Sequence, residues 1–538
     1  MSNTNTVTLE DIQSFKGKYP KQLWGLFFSE MWERFCFYGM RGVLTYFMIT
    51  HLILENGGHM SETQANLQYG ATQAFVYAFT FIGGLFADKI LGFRKSLFWG
   101  GFLMIIGSAI LAFDPFPENS FFLGISFTVI GTGFFKPNIS TMVGSLYKRG
   151  DNRRDAGFSL FYSGINIGAL LGGYACIAIG KGQLFSSLIP AEYTWNVSFG
   201  LAGVVMTISL ITFIFTQNGL GPIGLSPFKS EDGNTKRVVE ADSFGTVTPE
   251  PGKVAVTVKS GKGWYEYGVY ALTLALIPVI MVMVAKTEYT DYFMYTIGPL
   301  TLLYLVYEMT KHTWEESKKL IAALVFIIFS IIFWAFFEQS GGSLSIFAAK
   351  NLDNVVAGTF TLDSNGVNNA ANSVFVIIFA PIVGIIWLAM KKFEPNTVIK
   401  FGLGFLFLAG GFYTFYTTRF FEVAPGIASL DVFVVAYFII TFGELCLSPI
   451  GLSIMTKLSP QKLQGVMMGM WFLASAYGQY AAGILGAGLS EGGENDSLQQ
   501  KLVTYTDGYY QLAIYAVIAG VVLIAISPLV RKLMQDVK

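Results

Sequence analysis

Between Ser29 and Arg41 the chain reads SEMWERFCFYGMR, with two glutamates and two arginines set in one of its most apolar regions. At 100° per residue Glu30, Arg34, Phe37 and Arg41 fall within about 60° of one another on a helix, with Glu33 and Tyr38 on the flanks. Each such charge costs about 2.5 to 3.5 kcal/mol at the centre of a bilayer. The face that carries four of them must therefore pair internally or line water. Glu30 and Arg34 stand at i and i+4 and supply part of that pairing.

Three further charges interrupt apolar runs: Lys136 in GTGFFKPNIS, Glu338 in FWAFFEQSGG and Glu444 in FGELCLSPIG. Together the set holds three cations, Arg34, Arg41 and Lys136, and four carboxylates, Glu30, Glu33, Glu338 and Glu444. Such a set suits a zwitterion and leaves one carboxylate that can carry a proton. A salt-bridged knot that only pins helices together would also use charges at Glu30 to Arg41, but not the additional ones in other runs. Pro137 and Pro449 stand close to Lys136 and Glu444, and each deprives its helix of one backbone bond, so both helices can bend beside a charge.

The elements that position these groups follow from composition. Of 538 residues, 53% are hydrophobic and 13% charged, about half the charged share usual in a soluble domain. Mean hydropathy is +0.53. Apolar runs of about 20 residues recur from Trp24 to Leu529, which makes this an all-α polytopic membrane protein with lipid as its surroundings. About fourteen spans are read, centred near residues 37, 76, 104, 133, 167, 206, 274, 299, 329, 380, 408, 442, 474 and 520. Cys36, Cys176 and Cys446 have no metal-like spacing, and the polar first 20 residues are not a cleavable signal. The balance of 35 basic and 35 acidic residues gives no reason to expect a nucleic-acid partner.

An even span count puts both termini on one side. Lys89, Arg94 and Lys95, then Lys148, Arg149, Arg153 and Arg154, Lys311, Lys318 and Lys319, Lys391, Lys392 and Lys400, and Lys457 with Lys462 fall in loops on that side. The opposite loops hold mostly single charges, Lys181, Lys286, Lys350, Arg419 and Lys501, with Arg419 and Lys350 expected to be solvated. The positive-inside rule makes both termini cytoplasmic, in a multi-pass protein of the cell (inner) membrane. The polar stretch from Gly219 to Gly263 reads as a cytoplasmic linker, more coil than strand at its KVAVTVK segment. It suggests residues 1–218 as a six-helix bundle, 219–316 as linker plus two additional helices, and 317–538 as a second six-helix bundle.

EMWERFCFYG closely resembles the ExxERFxYYG signature of the proton-dependent oligopeptide transporters, a branch of the major facilitator superfamily. GGLFADKILGFRK, GTGFFKPNIS, FYSGINIGALLGG and GELCLSPIGLSIMTKLSP followed by MMGMWFLASAYGQYAAG are similar to later family segments, in the same order. The resemblance implies the superfamily fold of 6+6 helices with the two extra helices of bacterial members. It implies a secondary active transporter that imports di- and tripeptides with protons by alternating access. Glu30, Glu33 and Arg34 match the family's charged triad, and Glu338 joins them as a proton-coupling residue. Arg41 with Glu338 matches the outer closing pair, and Lys136 with Glu444 the cytoplasmic one. Arg41 and Lys136 would receive the peptide carboxylate, and Glu444 with Asn166 and Asn372 the amino terminus and backbone. Tyr38, Tyr77, Trp334, Trp471 and Ser475 match pocket positions.

Two departures stand out. Phe37 replaces the first tyrosine of the YYG element, and Gly70 stands where animal members carry a proton-linked histidine. His51, His59 and His312 lie in or near loops, so carboxylates must carry the proton. Asp88 and Arg94 read as a latch between helix ends. No phosphate-cradling G-x-x-x-x-G-K-[ST] element is present, so neither ATP nor another cofactor is called for. With no nucleophile and base pair or metal cluster, an enzyme is not expected. The alternatives are the same fold moving another small anion or amino acid, as relatives do with nitrate, or a membrane sensor.

Overall fold

The computed structural model describes residues 7–113, 117–148, 151, 153–226, 263–447, 451–460, 463–490, 496–535 and 537. Most of the Gly219 to Gly263 linker, with its KVAVTVK segment, lies outside the described residues, as do Arg149, Pro449 and Lys462. Among the described residues the long helices are α1 (Lys21–Thr50), α2 (Glu62–Phe86), α3 (Phe93–Phe113), α4 (Glu118–Ser145), α5 (Arg153–Gly180), α6 (Thr194–Thr216), α7 (Gly263–Ala285), α8 (Thr287–Met309), α9 (Trp314–Phe337), α10 (Ser364–Met390), α11 (Thr397–Thr417), α12 (Leu430–Leu447), α13 (Gln464–Leu489) and α14 (Leu498–Met534). Every expected span centre falls inside one of them.

Ten of these helices, some with short helical extensions, are long and apolar enough to cross a membrane. The other four, α1, α4, α8 and α13, fall short of that measure; α1 holds the four charges of the Ser29 to Arg41 face. Helix starts follow local chemistry. Ser61, Thr313 and Ser497 form capping boxes with Gln64, Glu316 and Gln500, and Asp363 caps α10 through its bond from the Gly366 N–H. Two short antiparallel hairpins, Val355–Val356 with Phe360–Thr361 and Glu422–Ala424 with Ile427–Ala428, lie beside the α9 extension and the α11–α12 turn.

The apolar side chains form two main cores. One draws on residues between Ile12 and Val284, the other on residues between Leu305 and Met534. In the first, α1 packs on α5 and α6, and α4 on α2 and α3; in the second, α11 packs on α12 and α14, and α9 on α13. The two halves meet where α2 lies on α13 and α5 on α10. The α2–α13 contact is close because both helices present glycine: a Cβ on Gly70 would sit 2.6 Å from the Gly483 Cα. Gly70 therefore has no room for a side chain, which explains why no histidine stands there.

Helices α7 and α8 form a hairpin against the α2–α13 seam. On the first half, Trp99 Nε1 donates to Thr273 Oγ1 at 3.1 Å, Gln68 Nε2 to the Ala285 carbonyl at 2.9 Å, and Lys95 pairs with Glu266. On the second half, the Tyr480 hydroxyl donates to Asp291 at 2.5 Å and Tyr477 to the Met294 carbonyl. Arg94 donates to the Gly221 and Ile223 carbonyls past the end of α6.

Candidate functional site

Four residues of α1 organise the interior of the first half. Arg34 Nε lies 3.1 Å from Glu30 Oε1 and also bonds Glu33, so one guanidinium serves two carboxylates. Glu30, Glu33 and Arg34 are 1%, 0% and 2% exposed, so the remaining charge is held away from the protein surface. Glu30 Oε2, Glu33 Oε1 and Arg34 Nη2 have no hydrogen-bond partner among the described residues. Two turns on, Arg41 crosses to the other half. Its guanidinium pairs with Glu338, donates through Nε to the Tyr69 hydroxyl at 2.6 Å, and reaches Ser340 Oγ at 3.3 Å. Glu338 stands where α9 gives way to a tighter turn, which aims it back at α1.

Beside this pair lies a cavity of about 130 Å³ between the halves, lined by Tyr38, Arg41, Tyr77 and Asn166 from the first half and by Trp334, Glu338, Asn372 and Glu444 from the second. Glu444 Oε2 accepts from Asn372 Nδ2 at 2.9 Å and Oε1 from the Tyr162 hydroxyl at 3.3 Å. Thr441 Oγ1 donates to Asn372 Oδ1 at 2.8 Å, fixing which side of the amide faces Glu444. Asn166 Nδ2 donates to the Tyr162 carbonyl at 2.9 Å, so its amide oxygen is the atom left for other contacts. One wall thus holds a cation, the opposite wall an anion, with amides and aromatic faces between. Amides can donate and accept, and aromatic walls impose little direction on what rests against them.

Lys136 stands behind this lining, with its ammonium 4.2 Å from the centroid of the Tyr77 ring. The expected Lys136–Glu444 ion pair is not formed; Glu444 is held by Asn372 and Tyr162 instead. Trp471 and Ser475 are not among the residues that line this cavity. The Trp471 ring is packed against the Gly451 backbone, and Ser475 turns its hydroxyl to the carbonyl of Trp471 at 3.3 Å. Phe37 is also outside the lining, buried with its ring 5.2 Å from the Arg34 guanidinium.

The structure adds residues the sequence did not single out. Tyr162 shares Glu444 with Asn372, and Tyr437 donates to Asn368 Oδ1 at 2.6 Å. Asn365, Asn368, Asn369 and Asn372 recur at helical spacing in SNGVNNAANS, a stripe of amides on one face of an otherwise apolar helix. That periodicity was the available signal.

Polar contacts between the halves concentrate at the end away from the termini. Beyond Arg41–Glu338, Thr45 Oγ1 donates to the Gly341 carbonyl at 2.9 Å, and Lys181 Nζ lies 2.7 Å from Asp363 Oδ2. Glu62 takes both Lys350 and Lys501 at 2.6 Å and the Tyr505 hydroxyl. Lys350 is therefore tied across the halves rather than solvated, and Arg419 is bound to Asp507 at 2.8 Å.

A two-halved helical bundle with its charged site at the seam is the architecture of a major-facilitator-type, multi-pass membrane transporter. The chain belongs to the POT family, whose sequence profile matches residues 94–228 and 267–500. It is 32% identical over 525 residues to the peptide transporter YePEPT of Yersinia enterocolitica, covering 96% of each chain. It is 30% identical over 534 residues to a di-/tripeptide transporter of Lactococcus lactis, covering 96% of this chain and 97% of that one. Among solved structures, a peptide transporter POT in complex with sulfate superposes with a TM-score of 0.75 at 30% identity, covering 96% of both chains. A variant of that transporter in complex with alafosfalin gives the same score and identity over 98% of this chain and 99% of that one.

Proposed function

We infer that this protein imports di- and tripeptides together with protons by alternating access, across the cell membrane and with both termini in the cytoplasm. The observation that carries the reading is the polarised cavity: Arg41 on one wall, Glu444 with its amide partner Asn372 on the other. A peptide's carboxylate and ammonium need that arrangement. A plain anion has no use for a carboxylate in its pocket, and an amino acid has no backbone amide for the asparagine stripe. Membership in the POT family and the peptide-transport names of the relatives support the same substrate class.

The division into residues 1–218, 219–316 and 317–538 goes with this mechanism, the first and last parts being the halves that rock. The structure's polar contacts between halves lie at the end assigned to the outside, so this is a form closed to the outside. The absent Lys136–Glu444 pair fits that assignment, because the cytoplasmic closing pair is the one that opens. Glu338 is the coupling carboxylate: protonated, it releases Arg41 to the peptide carboxylate. Glu30 and Glu33 around Arg34 form a second proton-holding group, since two carboxylates share a single guanidinium.

The deciding experiment is uptake of labelled dialanine into proteoliposomes under an imposed pH gradient, beside counterflow in the same vesicles. Glu338→Gln should lose gradient-driven accumulation and keep counterflow, because exchange needs no net proton movement. Glu444→Gln should lower both at least tenfold, since the ammonium loses its counter-charge. Accumulation by Glu338→Gln would move the coupling role to the triad, and absence of saturable uptake by the unaltered protein would end the peptide reading.

A further inference from the structure

A second cavity, of about 520 Å³, opens on the outer face of the first half at the end of α5, away from the central site. Its size lies within the range of about 300–1,000 Å³ usual for small-molecule sites. Gln183 and Ser186 form its exposed mouth, and Tyr46, His51 and Trp195 an aromatic wall, with the His51 and Trp195 rings 5.1 Å apart. Trp195 is only 3% exposed, and its Nε1–H finds no acceptor among the described residues. Lys181 supplies the cation, its ammonium 4.9 Å from the Tyr46 ring centroid.

Lys181 has a second engagement. Its ammonium lies 2.7 Å from Asp363 Oδ2, and Asp363 belongs to the other half. Asp363 does not depend on Lys181 alone: Gln183 Nε2 donates to the same oxygen at 2.8 Å, and the Gly366 N–H to Oδ1 at 2.7 Å. A carboxylate arriving in the cavity can thus take the ammonium while Asp363 keeps two donors, and the number of charged pairs stays the same.

We propose that this cavity is an outer docking site for the carboxylate of an incoming peptide, and that docking draws Lys181 off Asp363 and loosens an outer contact between the halves. The unpartnered Trp195 N–H gives the carboxylate or the adjacent carbonyl a donor, and the aromatic wall accepts the side chain. The site is reached before the central one, so it raises the capture rate at low peptide concentration and leaves the maximal rate to the central site.

The inference rests on the peptide-import reading, and one pair of variants separates it from a contact that merely holds the halves together. Lys181→Gln and Asp363→Asn both abolish the ion pair, but only the first removes the cation. In dialanine uptake by proteoliposomes, Lys181→Gln should raise KM about tenfold, whereas Asp363→Asn, which frees the ammonium, should leave KM at or below its original value. Lys181→Arg should restore it. Trp195→Phe, which keeps a ring and removes the donor, should raise KM two- to fivefold with the maximal rate unchanged. Equal KM values in the Lys181→Gln and Asp363→Asn proteins, or an unaltered KM in Trp195→Phe, overturns the docking site. Loss of saturable dialanine uptake in the unsubstituted protein would overturn the peptide reading and the docking site with it.

Discussion

Arg34 is the residue on which the first half is most exposed to damage. It lies fully inside the bundle and is the shared partner of Glu30 and Glu33. Removing it strands two carboxylates that have no other ion-pair partner in contact among the described residues, and breaking a buried pair in this way costs about 3–5 kcal/mol. Arg34→Ala should therefore lower the unfolding temperature of the detergent-solubilised protein by several degrees, while Glu30→Gln, which leaves Arg34 with Glu33, should change it much less. Equal unfolding temperatures in the two variants would mean that the triad carries no structural load. The charged residues stood out in the sequence because charges in several separate apolar runs are more than a knot that pins helices together needs. Tyr162 and Tyr69 were not, since a tyrosine in a spanning helix looks the same whether it faces lipid, a neighbour or the site. For Trp471 and Ser475, a helical position shared with the family says which face a residue is on, and the packing of Gly451 against the Trp471 indole sets how near that ring comes to the cavity.

At the scale of elements, each expected span centre fell inside a long helix of the described residues, although only ten of those helices are apolar enough to cross a membrane, and hydropathy could not say which helices touch. The α2–α13 seam depends on two glycines that composition treats as ordinary. Since a methyl on Gly70 would stand 2.6 Å from the Gly483 Cα, Gly70→Ala must push the halves apart at the end away from the termini, which is the outer side in the proposed orientation. A cysteine at Ser340, which lines the central cavity, should then react several-fold faster with an impermeant thiol reagent added outside. Cys36, Cys176 and Cys446 are buried and give little background. An unchanged labelling rate would show that α2 and α13 do not separate when the outer side opens. The α7–α8 hairpin spans the same seam, tied to the first half by Gln68 and to the second by Tyr480. Tyr480→Phe, which releases one of the two ties to the second half and leaves Tyr477 on the Met294 carbonyl, should shift the Ser340 label in the same direction by a smaller factor.

For the whole molecule, charge counting gives the most demanding expectation. The interior groups Arg34, Arg41 and Lys136 oppose Glu30, Glu33, Glu338 and Glu444, so with every carboxylate ionised the empty carrier bears one net negative charge at its site. A zwitterionic dipeptide adds none, and one proton brings the loaded site to neutrality. The loaded halves then rock without moving charge, and the voltage acts on the return of the empty carrier, whose negative site is driven outward by an inside-negative potential. The coupling is worth up to about 2.3 kcal/mol per 100 mV if the charge senses the full field. Dialanine uptake into proteoliposomes should therefore quicken when a potassium diffusion potential makes the interior negative. Counterflow, in which the carrier returns loaded, should not respond to the same potential. Uptake indifferent to voltage would require a second charge to travel with each proton, and voltage-sensitive counterflow would place the charge movement in the loaded step, contradicting a site that peptide and proton together make neutral.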